Sequence, residues 1–209
     1  MTHVGVFDYG AGNLHSLLKA IEGSGRSISV DTDIRSSLKA DILILPGVGA
    51  FGAAAAAMRG AQSYVRSALA DGKPCLGICL GMQMLFDASE ETLGSDVGIG
   101  LIPGRVTRLQ TRKVPHMGWN EIEWVALEAG SEAGGALPRS MGAAYFANAY
   151  VCEPEDDSSI QAWTTHQDAR FASVVRTANT VGVQFHPEKS SDAGRSFVNG
   201  LIDQLLQCK

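Results

Sequence analysis

Over the first hundred residues, short apolar runs alternate with segments of helical spacing. Val4-Gly5-Val6-Phe7 is stopped by Asp8-Tyr9-Gly10-Ala11-Gly12-Asn13, after which Leu14, Leu17, Leu18 and Ile21 recur at the spacing of a helix face. Ser27 to Val30 makes a weaker second run. Asp41-Ile42-Leu43-Ile44-Leu45 makes a strong third, closed by Pro46-Gly47-Val48-Gly49-Ala50-Phe51-Gly52. An alanine-rich helix is expected from about Ala53 to Met58, broken at Gly60 and resuming to about Ala70. Pro74 to Ile78 is a fourth apolar run, and Met82, Leu85 and Phe86 place a helix behind it. Runs that are apolar at consecutive positions predict strands buried on both faces, as in a parallel sheet covered by helices. The polar stretch from Ala88 to Asp96 reads as a loop.

After Gly104 the rhythm changes. Val106 to Leu109, Glu121 to Trp124, Ala144 to Ala147, Ile160 to Thr164, Phe171 to Val175 and Val181 to Gln184 all read as strands with no helical segments between them. Helix returns at the end, where Phe197, Val198, Leu201, Ile202 and Leu205 form one apolar stripe behind a Ser190-Ser191 cap. The segment from Ala129 to Ser140 reads as a mobile loop, and the chain shows no internal repeat. The pattern is that of an α/β protein, doubly wound in its first half, with a largely antiparallel region added in its second.

Composition narrows this picture without redirecting it. A chain of 209 residues, 45% hydrophobic, has enough apolar surface for one core without disulfide staples. A formal net charge of −5 offers no electrostatic attraction to nucleic acid or an anionic membrane. No basic segment precedes an apolar run at the N-terminus, and no run approaches the ~18 residues of a membrane span. Cys75, Cys79, Cys152 and Cys208 follow neither a disulfide framework nor paired zinc spacing, so a reduced, cytoplasmic, metal-free protein is expected.

Candidate chemistry centres on Gly77-Ile78-Cys79-Leu80-Gly81-Met82-Gln83. Glycines two residues either side of a cysteine, between a strand and a helix, are the pattern of a nucleophile elbow. There the thiol is pushed out at a helix N-terminus, where free N–H groups favour the thiolate. Cys75, mid-strand, reads as a small buried hydrophobe. Gly10-x-Gly12 invites a dinucleotide fingerprint, but His15 stands where its third glycine belongs. The glycines of the 46–52 loop let backbone N–H groups turn towards a common point, on the same rim as the cysteine. His186-Pro187-Glu188 closes the last strand. In an extended segment a carboxylate two residues on can hold one imidazole nitrogen while the other faces a nucleophile.

The cysteine elbow together with Gln184-Phe185-His186-Pro187-Glu188 resembles the class I, triad-type glutamine amidotransferases. Asp8 to Asn13, Pro46 to Gly52, Gly100-Leu101-Ile102-Pro103-Gly104 and Val114-Pro115-His116-Met117-Gly118-Trp119-Asn120 make the chain similar, end to end, to the glutaminase subunits of imidazole glycerol phosphate synthases. The resemblance implies one domain over residues 1–209, with a flavodoxin-like, mostly parallel sheet. It implies Cys79 as nucleophile, His186 as acid and base, Glu188 as its orienting acid, and no cofactor. The oxyanion would be held by the Leu80 N–H and one from the loop, Val48 or Gly49. Gln83 and Glu91 would bind the polar groups of glutamine, with Gly49 lining the site, although Glu90 adjoins Glu91. The family hands its ammonia to a (β/α)8-barrel cyclase, for which Asn13, Trp119 in the 114–120 segment and Lys189 are candidate contacts. For Trp119 and Met117, core packing is the alternative.

Two stretches depart from the family pattern. Asn148-Ala149 stands where a histidine followed by Ser or Thr is expected, and Thr164-Thr165-His166-Gln167-Asp168 replaces a Tyr-Gly turn. Both leave the cysteine, histidine and glutamate intact, so retained chemistry with altered coupling is expected. Competing readings are a same-fold glutaminase serving another synthase, a non-catalytic binding subunit, and a cysteine peptidase or stress protein with the same elbow.

Overall fold

A computed structural model describes residues 1–10, 12–23, 25–92, 96–126 and 137–207. In chain order the elements are β1 (Thr2–Phe7), α1 (His15–Ile21), β2 (Arg26–Asp31), α2 (Ile34–Ser37), β3 (Ile42–Leu45), α3 (Phe51–Ala57), α4 (Gln62–Ala70) and β4 (Cys75–Ile78). There follow α5 (Leu80–Gln83), β5 (Ala88–Ser89), β6 (Gly104–Arg108), β7 (His116–Glu121), β8 (Glu123–Trp124), β9 (Ala143–Asn148) and β10 (Tyr150–Pro154). β11 (Ile160–His166), β12 (Ala169–Thr177), β13 (Thr180–Val183) and α6 (Ser191–Gln207) complete the fold.

The principal sheet has the order β2-β1-β3-β4-β13-β12-β11-β8. Its first five strands are parallel and its last three run antiparallel. The consecutive apolar residues divide between its two faces. Val4, Val6, Ile42, Ile44, Leu76 and Ile78 pack with Leu17 and Ile21 of α1 and with the Phe197-to-Leu205 stripe of α6. Leu43, Leu45 and Cys75 face the other way, onto Phe51 and Ala54 of α3, Val65 and Leu69 of α4, and Leu80 and Met82 of α5. Helices on both faces exclude water from every central strand, which is why these runs do not alternate. The loops leaving the C-terminal ends of β3, β4 and β13 therefore share one rim.

Two smaller sheets lie beside this core, one of order β10-β6-β5 and one an antiparallel β7–β9 ribbon. Several local expectations are corrected here. The helix after Cys79 is a single turn, and Leu85 and Phe86 continue it only as turns bonded back to Met82 and Gln83. Ala88–Ser89, expected as loop, pairs in parallel with Arg105–Val106. The Glu121-to-Trp124 strand is two strands in different sheets, divided at Ile122. Strand β10, which the sequence pattern does not predict, places Cys152 at a buried strand position. Ser190 does not use its hydroxyl as a helix cap, for a reason given below. Most of the 129–140 loop, and Cys208, lie outside the described residues. No described helix is long and apolar enough to cross a membrane.

Candidate active site

At the end of β4 the chain turns directly into α5 on Cys79, whose backbone has φ 46° and ψ −104°. An L residue with this positive φ carries strain of order 1–3 kcal/mol, so the surroundings must enforce it. They do so by close approach. A Cβ at Gly81 would run into the Leu45 carbonyl oxygen, so α5 can lie this near β3 only with glycine there. The Cys79 N–H donates to the Val183 carbonyl at 2.7 Å, and the Cys79 carbonyl accepts from Gln83 N at 3.1 Å. Leu80 is the first residue of the helical turn, so its N–H has no acceptor within the helix. With only one turn present, the favourable field at the sulfur is that of a few free N–H groups rather than a long helix dipole.

Gly47 closes over the thiol. A side chain there would bring a Cβ within 3.0 Å of Cys79 Cβ, His186 Cε1 and the Ile78 carbonyl oxygen. A methyl group there would crowd both the Cys79 side chain and the ring. The sequence reading treated Gly47 as one flexible residue among three in its loop, because a steric need of this kind depends on the partners that the fold supplies.

His186 follows β13, and its Nδ1 lies 2.7 Å from Glu188 Oε1, with both side chains buried. Glu188 reaches it from the tight turn Pro187–Lys189. Burial opposes charge on the ring, but hydrogen bonding with Cys79 and Glu188, and the negative charge of both, outweigh it and raise the imidazole to about 9. The backbone of His186 is tied to the β7–β9 ribbon: His186 N–H donates to the Tyr145 carbonyl at 2.8 Å. The Ser190 hydroxyl accepts from Tyr145 N at 2.9 Å and donates to the His186 carbonyl at 2.7 Å. These bonds occupy the hydroxyl expected to cap α6, and Gly194 N bonds the Ser190 carbonyl instead.

A cavity of about 190 Å³ opens on Cys79. Gly49, Leu80, Gln83 and Glu91 line it, as do Asn148, Ala149 and Tyr150. Glu91 accepts the Phe51 N–H at 2.8 Å, at the start of α3, whereas Glu90 turns away to accept from Arg108 N at 3.1 Å. The Gln83 amide nitrogen donates to the Tyr150 carbonyl at 3.2 Å and to Gln184 Oε1 at 3.4 Å. Asn148 Nδ2 donates to the same Tyr150 carbonyl at 3.1 Å. Val48, Asn13 and Lys189 line a second cavity of about 300 Å³, which Gly47 and Glu188 also border. Trp119 lines neither. With Met117 it stands on an exposed face of β7, 56% and 65% accessible, so core packing is excluded for both.

The sequence pattern alone gives Gln184 no role. It is fully buried, and its Nε2 lies 3.5 Å from Cys79 Sγ. The available signal was its place two residues before His186, which puts both side chains on the same side of an extended segment. The other departure from the family pattern, His166, stacks on His116 with ring centroids 4.0 Å apart. Burial, and then the charge of His166, lower His116 to about 4.

The model of the family "Glutamine amidotransferase class-I" matches residues 5–203. The imidazole glycerol phosphate synthase subunit HisH of Geobacillus thermodenitrificans is 42% identical, over 97% of this chain and 96% of that one. The subunit of the same name from Gloeothece citriformis is 39% identical, over 98% and 97%. The chain belongs to the class-I glutamine amidotransferases, in their HisH family. The fold of this amidotransferase is shared by a solved structure of low identity. The structure of PurLQS from Thermotoga maritima superposes with a TM-score of 0.72 at 18% identity, covering 99% of each chain.

Proposed function

We propose that the chain is the glutaminase subunit of an imidazole glycerol phosphate synthase, in histidine biosynthesis, with Cys79, His186 and Glu188 as its catalytic set. The observation that carries the reading is the strained Cys79, buried beside the hydrogen-bonded His186–Glu188 pair at a cavity with polar walls.

Cys79 Sγ, as thiolate, adds to the side-chain amide carbon of glutamine, and the carbonyl electron pair moves to oxygen. The Leu80 N–H and one from Gly49 or Val48 hold that oxyanion. Losing one such donor typically costs ~2.7–4 kcal/mol of transition-state stabilisation. As the intermediate collapses, the C–N bond breaks and His186 Nε2 gives its proton to the departing nitrogen, leaving a thioester and ammonia. The neutral ring then takes a proton from water. The resulting hydroxide adds to the thioester, the C–S bond breaks, and glutamate leaves with the thiolate restored. Glu188 keeps Nδ1 protonated and the ring in place through both steps. Gln83 and Glu91 hold the remaining polar groups of glutamine.

Ammonia at neutral pH is mostly protonated and a poor nucleophile, so direct delivery is needed. The recipient is a (β/α)8-barrel cyclase that makes imidazole glycerol phosphate and the aminoimidazole carboxamide ribotide. It docks through Asn13 and Lys189, at the cavity they line, and through Trp119 on the exposed face of β7, and the heterodimer works in the cytoplasm. A glutaminase of the same fold serving another synthase is the second reading, favoured by Asn148 and Ala149 in the cavity wall.

Ammonia release from glutamine, measured with and without a cyclase subunit, tests this function. Release is expected to rise in the complex and to vanish with Cys79→Ser. Equal rates with and without cyclase remove the coupling and favour the second reading. Activity surviving in Cys79→Ser removes the mechanism.

A further inference from the structure

Gln184 lies between Val183 and Phe185, both fully buried, and its own side chain is inaccessible to solvent. Burying a primary amide without partners costs roughly 2–7 kcal/mol, so both of its ends must be used. They are used in a fixed order. The Tyr150 carbonyl can only accept, so the nitrogen end of Gln83 faces it at 3.2 Å. That same nitrogen reaches Gln184 Oε1 at 3.4 Å, which turns the nitrogen end of Gln184 to Cys79 Sγ at 3.5 Å. Reversing the Gln184 amide would set nitrogen against nitrogen at one end and oxygen against sulfur at the other. One backbone carbonyl thereby decides which end of a buried amide meets the sulfur. Asn148, in the cavity wall, donates to that carbonyl as well.

We propose that Gln184 is a positioning residue for Cys79, holding the sulfur by an amide N–H whose orientation is set through Gln83 by the Tyr150 carbonyl. An N–H aimed at sulfur is worth more when the sulfur is charged, because charge-assisted hydrogen bonds are roughly twice as strong as neutral ones. The arrangement favours the thiolate and fixes the side-chain rotamer from which it attacks. His186 and Gln184, two residues apart, then offer the sulfur two donors from one chain segment.

This inference rests on the reading of Cys79 as nucleophile, but its test does not require glutamine. Alkylation by iodoacetamide is followed at the Cys79 peptide across a pH series, in the wild-type chain and in Gln184→Met, Gln184→Glu and Gln83→Met. Met keeps the volume of Gln184 without a donor, and Glu keeps its shape while turning an oxygen to the sulfur. The profile is expected to move to higher pH in Gln184→Met and further in Gln184→Glu. Alkylation at pH 7 should fall about tenfold or more in both, given the strength of a charge-assisted bond. Gln83→Met should lie between wild type and Gln184→Met, because it frees the amide to turn. Where glutamine is hydrolysed, kcat falls and KM holds. Profiles of the Gln184 variants that superimpose on wild type overturn the proposal. If Gln184→Met does not fold, Gln184→Glu decides. Shifted profiles in a chain that releases no ammonia would uphold the role of Gln184 and remove the glutaminase reading.

Discussion

In the parallel half of the molecule, the turn carrying Cys79 is held by collisions: Gly81 lies against the Leu45 carbonyl, and Gly47 against both Cys79 and His186. The β7–β9 ribbon meets the same site through hydrogen bonds: the Tyr145 carbonyl accepts from His186 N, Tyr145 N donates to the Ser190 hydroxyl, and the Asn148 side chain donates to the Tyr150 carbonyl. A collision forbids substitution whatever the rest of the chain does, whereas a hydrogen bond from the backbone tolerates many side chains. The first kind of constraint writes itself into the sequence as glycine and the second leaves little trace. At Tyr145 the contacts with His186 and Ser190 use the ribbon backbone, so its side chain can change without losing them, whereas at Asn148 the side chain itself is the donor.

The comparison breaks first at Gly81. Gly81→Ala drives a Cβ into backbone that cannot yield, so a loss at or beyond the ~1–3 kcal/mol of ordinary overpacking is expected in urea denaturation, with activity lost. Glu188→Gln should keep the fold yet lower kcat by about 10²-fold, the lower end of what positioned proton transfer contributes. It also tests the raised His186. A histidine held at about 9 is charged below that pH, so kcat/KM should fall as pH rises through about 9. Without Glu188 that alkaline limb should move towards neutrality. The sign for stability is the same: the contribution of the imidazolium is complete below the ordinary histidine value and is lost as pH rises through about 9. Gly47→Ala should lower the melting temperature less than Gly81→Ala, because its new Cβ meets its neighbours at 3.0 Å, and reduce kcat by up to about 10²-fold, the effect of misplacing reacting groups by about an ångström. The smallest effect belongs to the ribbon. Trp119→Ala should leave the isolated chain within about 0.5 kcal/mol of wild type and unchanged in basal glutaminase rate, while lowering the rate measured with cyclase. A large loss in the isolated chain would mean that the exposed face is structural after all.

This contrast also explains what could be read in advance. β3 and β4 were legible because burial on both faces leaves unbroken runs such as Ile42-Leu43-Ile44-Leu45, whereas β2 is half-exposed and leaves a weaker run, and β13, parallel to β4, stands in the half whose pattern reads as antiparallel. Cys79 was legible because its turn demands small neighbours, and His186 with Glu188 because two residues suffice to make their contact. β10 was not, since Tyr150-Val151-Cys152-Glu153-Pro154 carries a glutamate and a proline and owes its strand form to pairing with β6. Gln184 was hidden for a related reason. Its partners Cys79 and Gln83 lie 105 and 101 residues away, and only the packed sheet brings them together. Exposure of Trp119 was undecided because an aromatic residue looks the same whether it is buried in a core or displayed.

Tyr145 stands directly opposite Trp119 in the ribbon register, and both of its peptide polar groups point away from that strand pair, to Ser190 and to His186. Only one residue, Tyr145, therefore lies between the displayed Trp119 and the backbone of His186, and no loop intervenes.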